Sequence, residues 1–194
     1  VLGFLALGVA PVIMAGDIDI SIASTLALCG VVLADLWQQG MNIWVASLIA
    51  VALGVVLGLI NGLLIVLLEL PSLAITLGTL GAYSGIAFLI LQGKAITGFP
   101  NALITLGQGG LYGSQVPIAT AAVLLAALVM TVVIHGTAFG KAVFAIGGSR
   151  QAALYSGIAV TRTRILLFAI SGGVSGLASI FYLGNFDTAR ADMA

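Results

Sequence analysis

Long apolar runs are the feature that most constrains the fold of this chain. Six such runs occupy residues 1–16, 20–37, 43–68, 73–92, 116–136 and 165–184. Each approaches or exceeds the length of about 20 residues that a helix needs to cross the hydrocarbon core of a bilayer. Backbone polar groups in lipid must be paired within the protein, and the alternating pattern of a barrel strand is absent, so the runs predict helices.

The composition supports a membrane protein. Of the 194 residues, 61% are hydrophobic and 6% are charged, whereas soluble domains carry about 25% charged residues. We therefore predict an all-α, polytopic integral membrane bundle with about six transmembrane helices, forming a single transmembrane domain over residues 1–194. The formal net charge is zero, which gives the chain no electrostatic footprint for nucleic acid.

The basic residues predict an orientation in the membrane. The segment 137–164 holds four of the six Lys and Arg residues. These are Lys141, Arg150, Arg162 and Arg164. The positive-inside rule places this segment in the cytoplasm. Strict alternation then places 93–115 outside, 69–72 inside, 38–42 outside and 17–19 inside.

Small residues recur at helical spacing in three of the apolar runs. Glycines four residues apart occur at Gly54, Gly58 and Gly62, and again at Gly172 and Gly176. A third set comprises Gly78, Gly81 and Gly85. Such spacing lets helix backbones approach closely in a membrane. The pattern predicts a compact bundle and carries no information about a solute.

The sequence offers no pattern typical of an enzyme. The stretch GTAFGKA, residues 136–142, differs from a P-loop because its glycines are one residue too close and Ala142 replaces Ser or Thr. The single cysteine, Cys29, lies in an apolar run and is interpreted as a small buried hydrophobe. We expect no cofactor, no metal site and no ATP hydrolysis by this chain itself.

The basic segment has internal order. Ser149 follows two glycines and suits a helix N-cap, RQAALYS suits one or two helical turns, and Gly157 can end them. A short capped helix of this kind, at about 149–158, is typical of a docking surface on the cytoplasmic face. A solvated basic loop that only sets the topology is the alternative.

Three motifs give the chain a family resemblance. Residues 16–24, GDIDISIAS, match a Gly-Gly-Ile-Asp-Leu-Ser-x-Gly-Ser pattern, and residues 75–79, ITLGT, match Ala-Thr-Leu-Gly-Thr. A Thr-x-x-Gly-Arg pattern followed by Gly-Gly-Asn-x-x-Ala-Ala-x-x-Ser-Gly-Ile appears over residues 137–158. In these motifs, and in their order along essentially the whole chain, the sequence resembles the permease subunits of bacterial ABC importers for monosaccharides and autoinducers.

The resemblance implies partners and a docking site. It implies an ABC ATPase subunit, a periplasmic sugar-binding protein and a second permease subunit, identical or related, in the inner membrane. The residues implied to meet the ATPase are Ser149, Arg150, Ala152, Ala153, Tyr155 and Gly157. The family's chains extend beyond both ends of this one, so we expect a fragment of a longer permease.

The sequence departs from the family's pattern at several positions. Asp17 stands where the family has its second glycine, and Ala23 replaces another glycine. Ser149 replaces an asparagine, and Leu154 stands at an often basic position. We therefore expect Asp17, as an extra carboxylate, to tolerate glycine.

The carboxylate Asp19 has three interpretations. It caps the helix that follows Gly16, it binds sugar hydroxyls, or it relays protons in a secondary transporter. We favour the cap because it accounts for the Gly-Asp-Ser chemistry without a ligand. A proton relay needs a partner across the bundle, and the only other acids near the spans are Asp35 and Glu69, each close to an end.

Polar residues within the spans are candidates to line a pathway. Hydrogen bonding between helices is the alternative for each of them. The set consists of Asp19, Ser21, Asn61, Thr76, Thr79, Tyr83 and Ser84.

Taken together, the sequence and the resemblance predict a multi-pass permease subunit of an ATP-driven importer for a monosaccharide or related small polar solute. An ion-coupled secondary transporter and a membrane scaffold without transport activity are the alternatives. The sequence does not name the solute.

Overall fold

The computed structural model is built almost entirely of helices, which confirms the predicted all-α class. It describes residues 1–110 and 116–193. In chain order the helices are α1 Leu2–Met14, α2 Ile22–Gln38, α3 Ile43–Leu67, α4 Ser72–Leu91, α5 Asn101–Gln108, α6 Ile118–Gly136, α7 Ala138–Gly148, α8 Arg150–Tyr155 and α9 Val160–Phe186. Two short strands, β1 Ile96–Thr97 and β2 Thr188–Ala189, pair antiparallel.

Four of the described helices are long and apolar enough to cross a membrane: α3, α4, α6 and α9. The other two predicted spans correspond to the shorter apolar helices α1 and α2, which have 13 and 17 residues in the described chain. At the helical rise they span about 20 Å and about 26 Å, less than the ~30 Å hydrocarbon core. Between α1 and α2 lies a linker, residues 15–21, in which Gly16 adopts a left-handed conformation (φ 79°).

The most extensive contact between the described helices joins α3 and α9. A Cβ added at Gly58 would collide with the carbonyl oxygen of Phe168, and one added at Gly54 would collide with that of Gly172. On the opposite helix, a Cβ at Gly176 would approach the Ala50 carbonyl oxygen to 2.8 Å. The predicted close approach along the first two glycine sets is therefore confirmed for this pair.

The third glycine set does not take part in packing between the described residues. A Cβ added at Gly78, Gly81 or Gly85 would meet nothing within 4 Å. These glycines are exposed on α4 beside Leu77 and Leu89, which are 51% and 74% exposed. The expectation that all three sets build one compact bundle is wrong for α4, since glycine spacing alone does not say which helix faces are covered.

One end of the bundle gathers three segments that alternation predicted to be cytoplasmic. The linker Ala15–Ser21 contacts the start of α4, where the amide of Ile18 donates to Ser72 Oγ at 3.0 Å. It also contacts the basic segment, where Arg150 Nη2 lies 3.5 Å from Asp17 Oδ1. Segments 17–19, 69–72 and 137–164 therefore share one end.

The opposite end gathers the segments predicted to be outside. The amide of Phe99 donates to Asp187 Oδ1 at 2.8 Å, and Ile96 of β1 pairs with Ala189 of β2. The rings of Trp37 and Phe99 lie 5.0 Å apart. This end also carries α5, which the sequence treated as loop.

The basic segment is more ordered than the sequence indicated. The predicted short helix corresponds to α8, and it is preceded by α7, which was not predicted. Thr137 caps α7 by accepting from the amide of Gly140 at 3.3 Å, and it donates to the Val133 carbonyl at 2.6 Å. The segment is thus two successive helices rather than one helix in a loop.

The α3–α9 contact predicts different outcomes for two similar substitutions. Gly58→Val should lower the free energy of unfolding by about 1–3 kcal/mol, because the added carbons force the two backbones apart. Gly81→Val is the matched control and should have little effect, since its surroundings are open. Thermal unfolding in detergent measures the stability of both variants. Equal midpoints for Gly58→Val and Gly81→Val would contradict the close packing of α3 against α9.

The distribution of charge and the grouping of segments predict the labelling of single cysteines. In a Cys29→Ala background, Ala95→Cys should react with an impermeant thiol reagent in intact cells, whereas Ser149→Cys should react only after the membrane is opened. Ser114, which also belongs to the predicted outside segment, lies outside the described residues. Labelling of 149 and not 95 in intact cells would invert the orientation.

Candidate functional site

The linker Ala15–Ser21 is an irregular segment inside an apolar protein. Residues 17–20 belong to neither α1 nor α2, and Asp17 and Asp19 are buried at 3% and 6% exposure. Buried backbone groups need partners, and α4 provides them. Besides the bond from the Ile18 amide to Ser72, Thr76 Oγ1 donates to the Ile18 carbonyl at 3.3 Å.

Asp17 forms a buried ion pair with Arg164 at the start of α9. Arg164 Nε donates to Asp17 Oδ2 at 2.7 Å, and Arg164 Nη2 donates to Oδ1 at 2.8 Å. This bidentate geometry is the strong form of a carboxylate–guanidinium contact. Both residues are at most 9% exposed, so the pair fixes the linker against α9.

Asp19 accepts three hydrogen bonds from protein donors. The amide and hydroxyl of Ser21 donate to its Oδ1 at 3.0 and 2.7 Å, and Ser171 Oγ on α9 donates to its Oδ2 at 2.8 Å. Asp19 lies in the linker, outside the spanning helices. Burial raises the pKa of Asp19, while the hydrogen bonds from Ser21 and Ser171 act in the opposite direction.

The hydrogen bonds of Asp19 continue across the bundle. Asn61 Nδ2 on α3 donates to Ser21 Oγ at 2.7 Å, and Tyr83 OH on α4 lies 3.1 Å from Asn61 Oδ1. We call the five residues Asp19, Ser21, Asn61, Tyr83 and Ser171 the polar network. It joins the linker to α3, α4 and α9.

The predicted pathway candidates fall into two groups. Asp19, Ser21, Asn61 and Tyr83 belong to the polar network, and Thr76 is fully buried against the linker. Thr79 and Ser84 are half-buried. Thr79 donates within α4 to the Thr76 carbonyl at 3.3 Å, and Ser84 lines a cavity of about 570 Å³ at the outer end with Lys94 and Arg190.

The capping interpretation of Asp19 takes a modified form. Helix α2 begins at Ile22, and its N-cap residue Ser21 makes no side-chain cap bond. Asp19 instead accepts from the amide of Ser21, the residue directly before the helix. The carboxylate therefore caps the turn that leads into α2, and at the same time it binds α9.

Sequence reasoning missed both partners from α9. Arg164 was assigned only to the topology, although it directly precedes an apolar run while no acid lies between Glu69 and Asp187. An arginine next to a membrane span needs a carboxylate partner, and Asp17 in the linker was the carboxylate without an assigned role. No sequence signal marked Ser171 as a partner of Asp19.

The residues predicted to dock an ATPase lie on and around α8. Ser149 Oγ accepts from the Ala152 amide at 3.3 Å, as an N-cap does, and Gly157 ends the helix with φ 79°. Tyr155 is 88% exposed. Ser149, Arg150, Ala152 and Gly157 are also exposed. Ala153 is only 3% exposed and packs inward, so it anchors α8 and does not face a partner.

A groove runs between α8, the start of α9 and the α3–α4 connection. It consists of two cavities of about 450 and 430 Å³. Three charged residues line both: Glu69, Arg150 and Arg164. Within residues 1–110 and 116–193, no three His, Cys, Asp or Glu side chains are placed to hold a metal ion.

Comparisons with known proteins point to permeases. Residues 1–194 match the family described as the permease component of a branched-chain amino acid transport system. The autoinducer 2 import system permease protein LsrD of Escherichia coli K12 is 39% identical over 199 residues, which cover 99% of this chain and 59% of LsrD. LsrD of Escherichia coli O157:H7 and of Shigella flexneri shows the same identity and coverage.

The chain spans 59% of the length of the curated relatives that it matches. No solved structure matches the chain.

The buried ion pair revises the expectation that Asp17 tolerates glycine. Asp17→Gly leaves the Arg164 guanidinium buried without its carboxylate, and such a loss costs about 3–5 kcal/mol. The thermal midpoint in detergent should fall steeply. The control is Asp192→Gly, which breaks an exposed pair with Arg190 and should leave the midpoint nearly unchanged. Equal midpoints for Asp17→Gly and the unsubstituted protein would contradict the pair's role.

Substitutions of Asp19 separate a structural role from solute binding. Asp19→Asn keeps an acceptor for Ser21 and should be mild, whereas Asp19→Ala leaves buried donors unpaired, at about 1–3 kcal/mol for each lost partner. Thermal stability and solute uptake per folded transporter are measured for both variants. A stable Asn variant that does not transport would show that the charge of Asp19 binds solute or drives coupling.

Proposed function

The chain belongs to the family of branched-chain amino acid transport system permease components, and from that membership we propose that it is a permease subunit of an ATP-driven ABC importer. The family is one of transport permeases, so the chain is a multi-pass membrane component rather than an enzyme. The 39% identity to autoinducer 2 import permeases and the motifs shared with monosaccharide importers support a monosaccharide or related small polar solute. The proposed location is the inner membrane.

The observation that carries the proposal is the capped helix α8 at the predicted cytoplasmic end. Its first residue, Arg150, and its last, Tyr155, are exposed, while Ala153 between them anchors it. A rigid protrusion of this kind suits a cleft on an ATPase subunit. ATP hydrolysis takes place on that separate subunit, and the GTAFGKA stretch supports this since it lies in α6 and α7, where a P-loop would follow a strand.

The helix α8 is placed to pass motion into the bundle. It leads directly into α9, whose Arg164 and Ser171 hold the two carboxylates of the linker. Closure of the ATPase subunits would therefore act on α9 and the linker together. We propose that this switches the pathway between its outward-open and inward-open states.

The complete importer in this proposal has four kinds of component. They are two permease subunits, two ATPase domains, an external solute-binding protein and the lipid bilayer that holds the permeases. Thr79 and Ser84 are the first candidates for contact with the solute because they are half-buried. The polar network and Thr76 hold helices together in the observed state.

Two other functions predict different behaviour. A secondary transporter would be driven by an ion gradient, and a scaffold would move no solute. The relevant test uses the full-length permease with its ATPase and binding protein in proteoliposomes, supplied with autoinducer 2 or D-ribose. ATP-dependent uptake that is insensitive to ionophores supports the importer, whereas ionophore-sensitive uptake without ATP, or no uptake of any sugar-type solute, contradicts it.

Docking through α8 predicts the effect of a charge at its most exposed residue. Tyr155→Asp should abolish co-purification of the ATPase subunit and solute uptake, since it puts a carboxylate on the contact face. The thermal midpoint should not change because the side chain is 88% exposed. Tyr155→Phe keeps the ring and is the matched control. Normal co-purification with Tyr155→Asp would exclude α8 as the docking element.

A further inference from the structure

Four charged side chains meet at the groove beside α8. Asp17 and Glu69 carry negative charge, and Arg150 and Arg164 carry positive charge. The two arginines are held very differently. Arg164 is 10% exposed at its side chain and binds both Asp17 oxygens, whereas Arg150 is 48% exposed and makes one contact of 3.5 Å to Asp17 Oδ1.

This difference makes the Arg150 contact the easier one to break. An exposed, long, single ion pair contributes little to stability, and a buried two-pronged pair is difficult to dissociate. Asp17 Oδ1 already accepts from Arg164 at 2.8 Å, so losing Arg150 leaves no unpaired charge in the interior. Arg150 can therefore move while Asp17 and Arg164 stay in place.

Glu69 provides a second carboxylate that lines the groove. It lines both cavities together with Arg150 and is exposed. Within the described parts of the chain Glu69 makes no ion pair. Its backbone is left-handed, with φ 54°, at the connection between α3 and α4. Arg150 on α8 thus shares the groove with Asp17, which it contacts at 3.5 Å, and with Glu69, which has no ion-pair partner among the described residues.

We propose that Arg150 is a movable positioning residue that exchanges between Asp17 and Glu69 as α8 moves. Bound to Asp17, it holds α8 to the α1–α2 linker, and bound to Glu69, it holds α8 to the α3–α4 connection. Asp17 lies two residues before Asp19, so the first state ties the docking helix to the polar network. The exchange determines whether the α1–α2 linker or the α3–α4 connection moves with α8 when the ATPase moves. The inference rests on the proposed importer function.

The ratio of solute imported to ATP hydrolysed is the readout, because a merely structural role of Arg150 and Glu69 would not change it. Full-length permease, ATPase and binding protein are reconstituted with autoinducer 2 as the probe, and solute imported per ATP hydrolysed is measured. Arg150→Ala and Glu69→Gln should each lower this ratio about fivefold or more, the lower end of typical coupling between sites. Arg150→Lys should restore most of it, because it keeps a cation on α8.

The controls separate exchange from docking and from folding. Arg162→Ala removes an equal charge from the same face, where Arg162 is exposed and forms no ion pair with other described residues; its ratio should equal that of the unsubstituted importer. The thermal midpoint should be unchanged for Arg150→Ala and Glu69→Gln, and the amount of bound ATPase should be unchanged for Glu69→Gln, because Glu69 lies outside α8.

Specific results would overturn the exchange. An unchanged ratio for either Arg150→Ala or Glu69→Gln contradicts it, and so does loss of ATPase binding in Glu69→Gln, which would explain the lower ratio without any exchange. Failure of the unsubstituted importer to move any solute with ATP would instead contradict the proposed function, so the two failures are distinguishable.

Discussion

The ion pair between Asp17 and Arg164 is the interaction on which the arrangement of the cytoplasmic end depends. The linker leaves helical geometry at the edge of an apolar bundle and carries two buried carboxylates, which are costly without partners. Arg164 neutralises the first carboxylate with two bonds, Ser72 and Thr76 satisfy the backbone of Ile18, and Ser21 and Ser171 satisfy Asp19. The linker can be irregular because each of these groups has a partner.

The close contact of α3 and α9 gives this linker a rigid support. Glycines on both helices let the backbones meet, and the same two helices carry Asn61 and Ser171 to the polar network. The close backbone packing at the glycines and the side-chain hydrogen bonds of the polar network therefore involve the same two helices, α3 and α9. The proposed docking helix α8 precedes the start of α9, so a displacement there acts on a stiff element rather than on a loose loop.

Sequence patterns predicted local features well and pairings across the chain poorly. Apolar length gave the helices, Ser149 and Gly157 gave the ends of α8, and the basic residues grouped the segments at one end. The apolar runs 1–16 and 20–37 correspond to α1 and α2, whose ends differ from those of the runs by one or two residues. The partners of Asp17 and Asp19 lie 147 and 152 residues away, and no local spacing encodes such contacts. The open glycine face of α4 shows the same limit, since spacing does not reveal what covers a helix.

A double-mutant cycle on the ion pair tests the central claim most directly. Thermal and denaturant unfolding in detergent would compare Asp17→Ala, Arg164→Met and the double variant of the full-length permease. If the pair fixes the linker, each single variant is strongly destabilised and the double variant is much less so than their sum, with a coupling energy of about 2 kcal/mol or more. Additive effects within about 0.5 kcal/mol would show that the two side chains act independently, and would contradict the account.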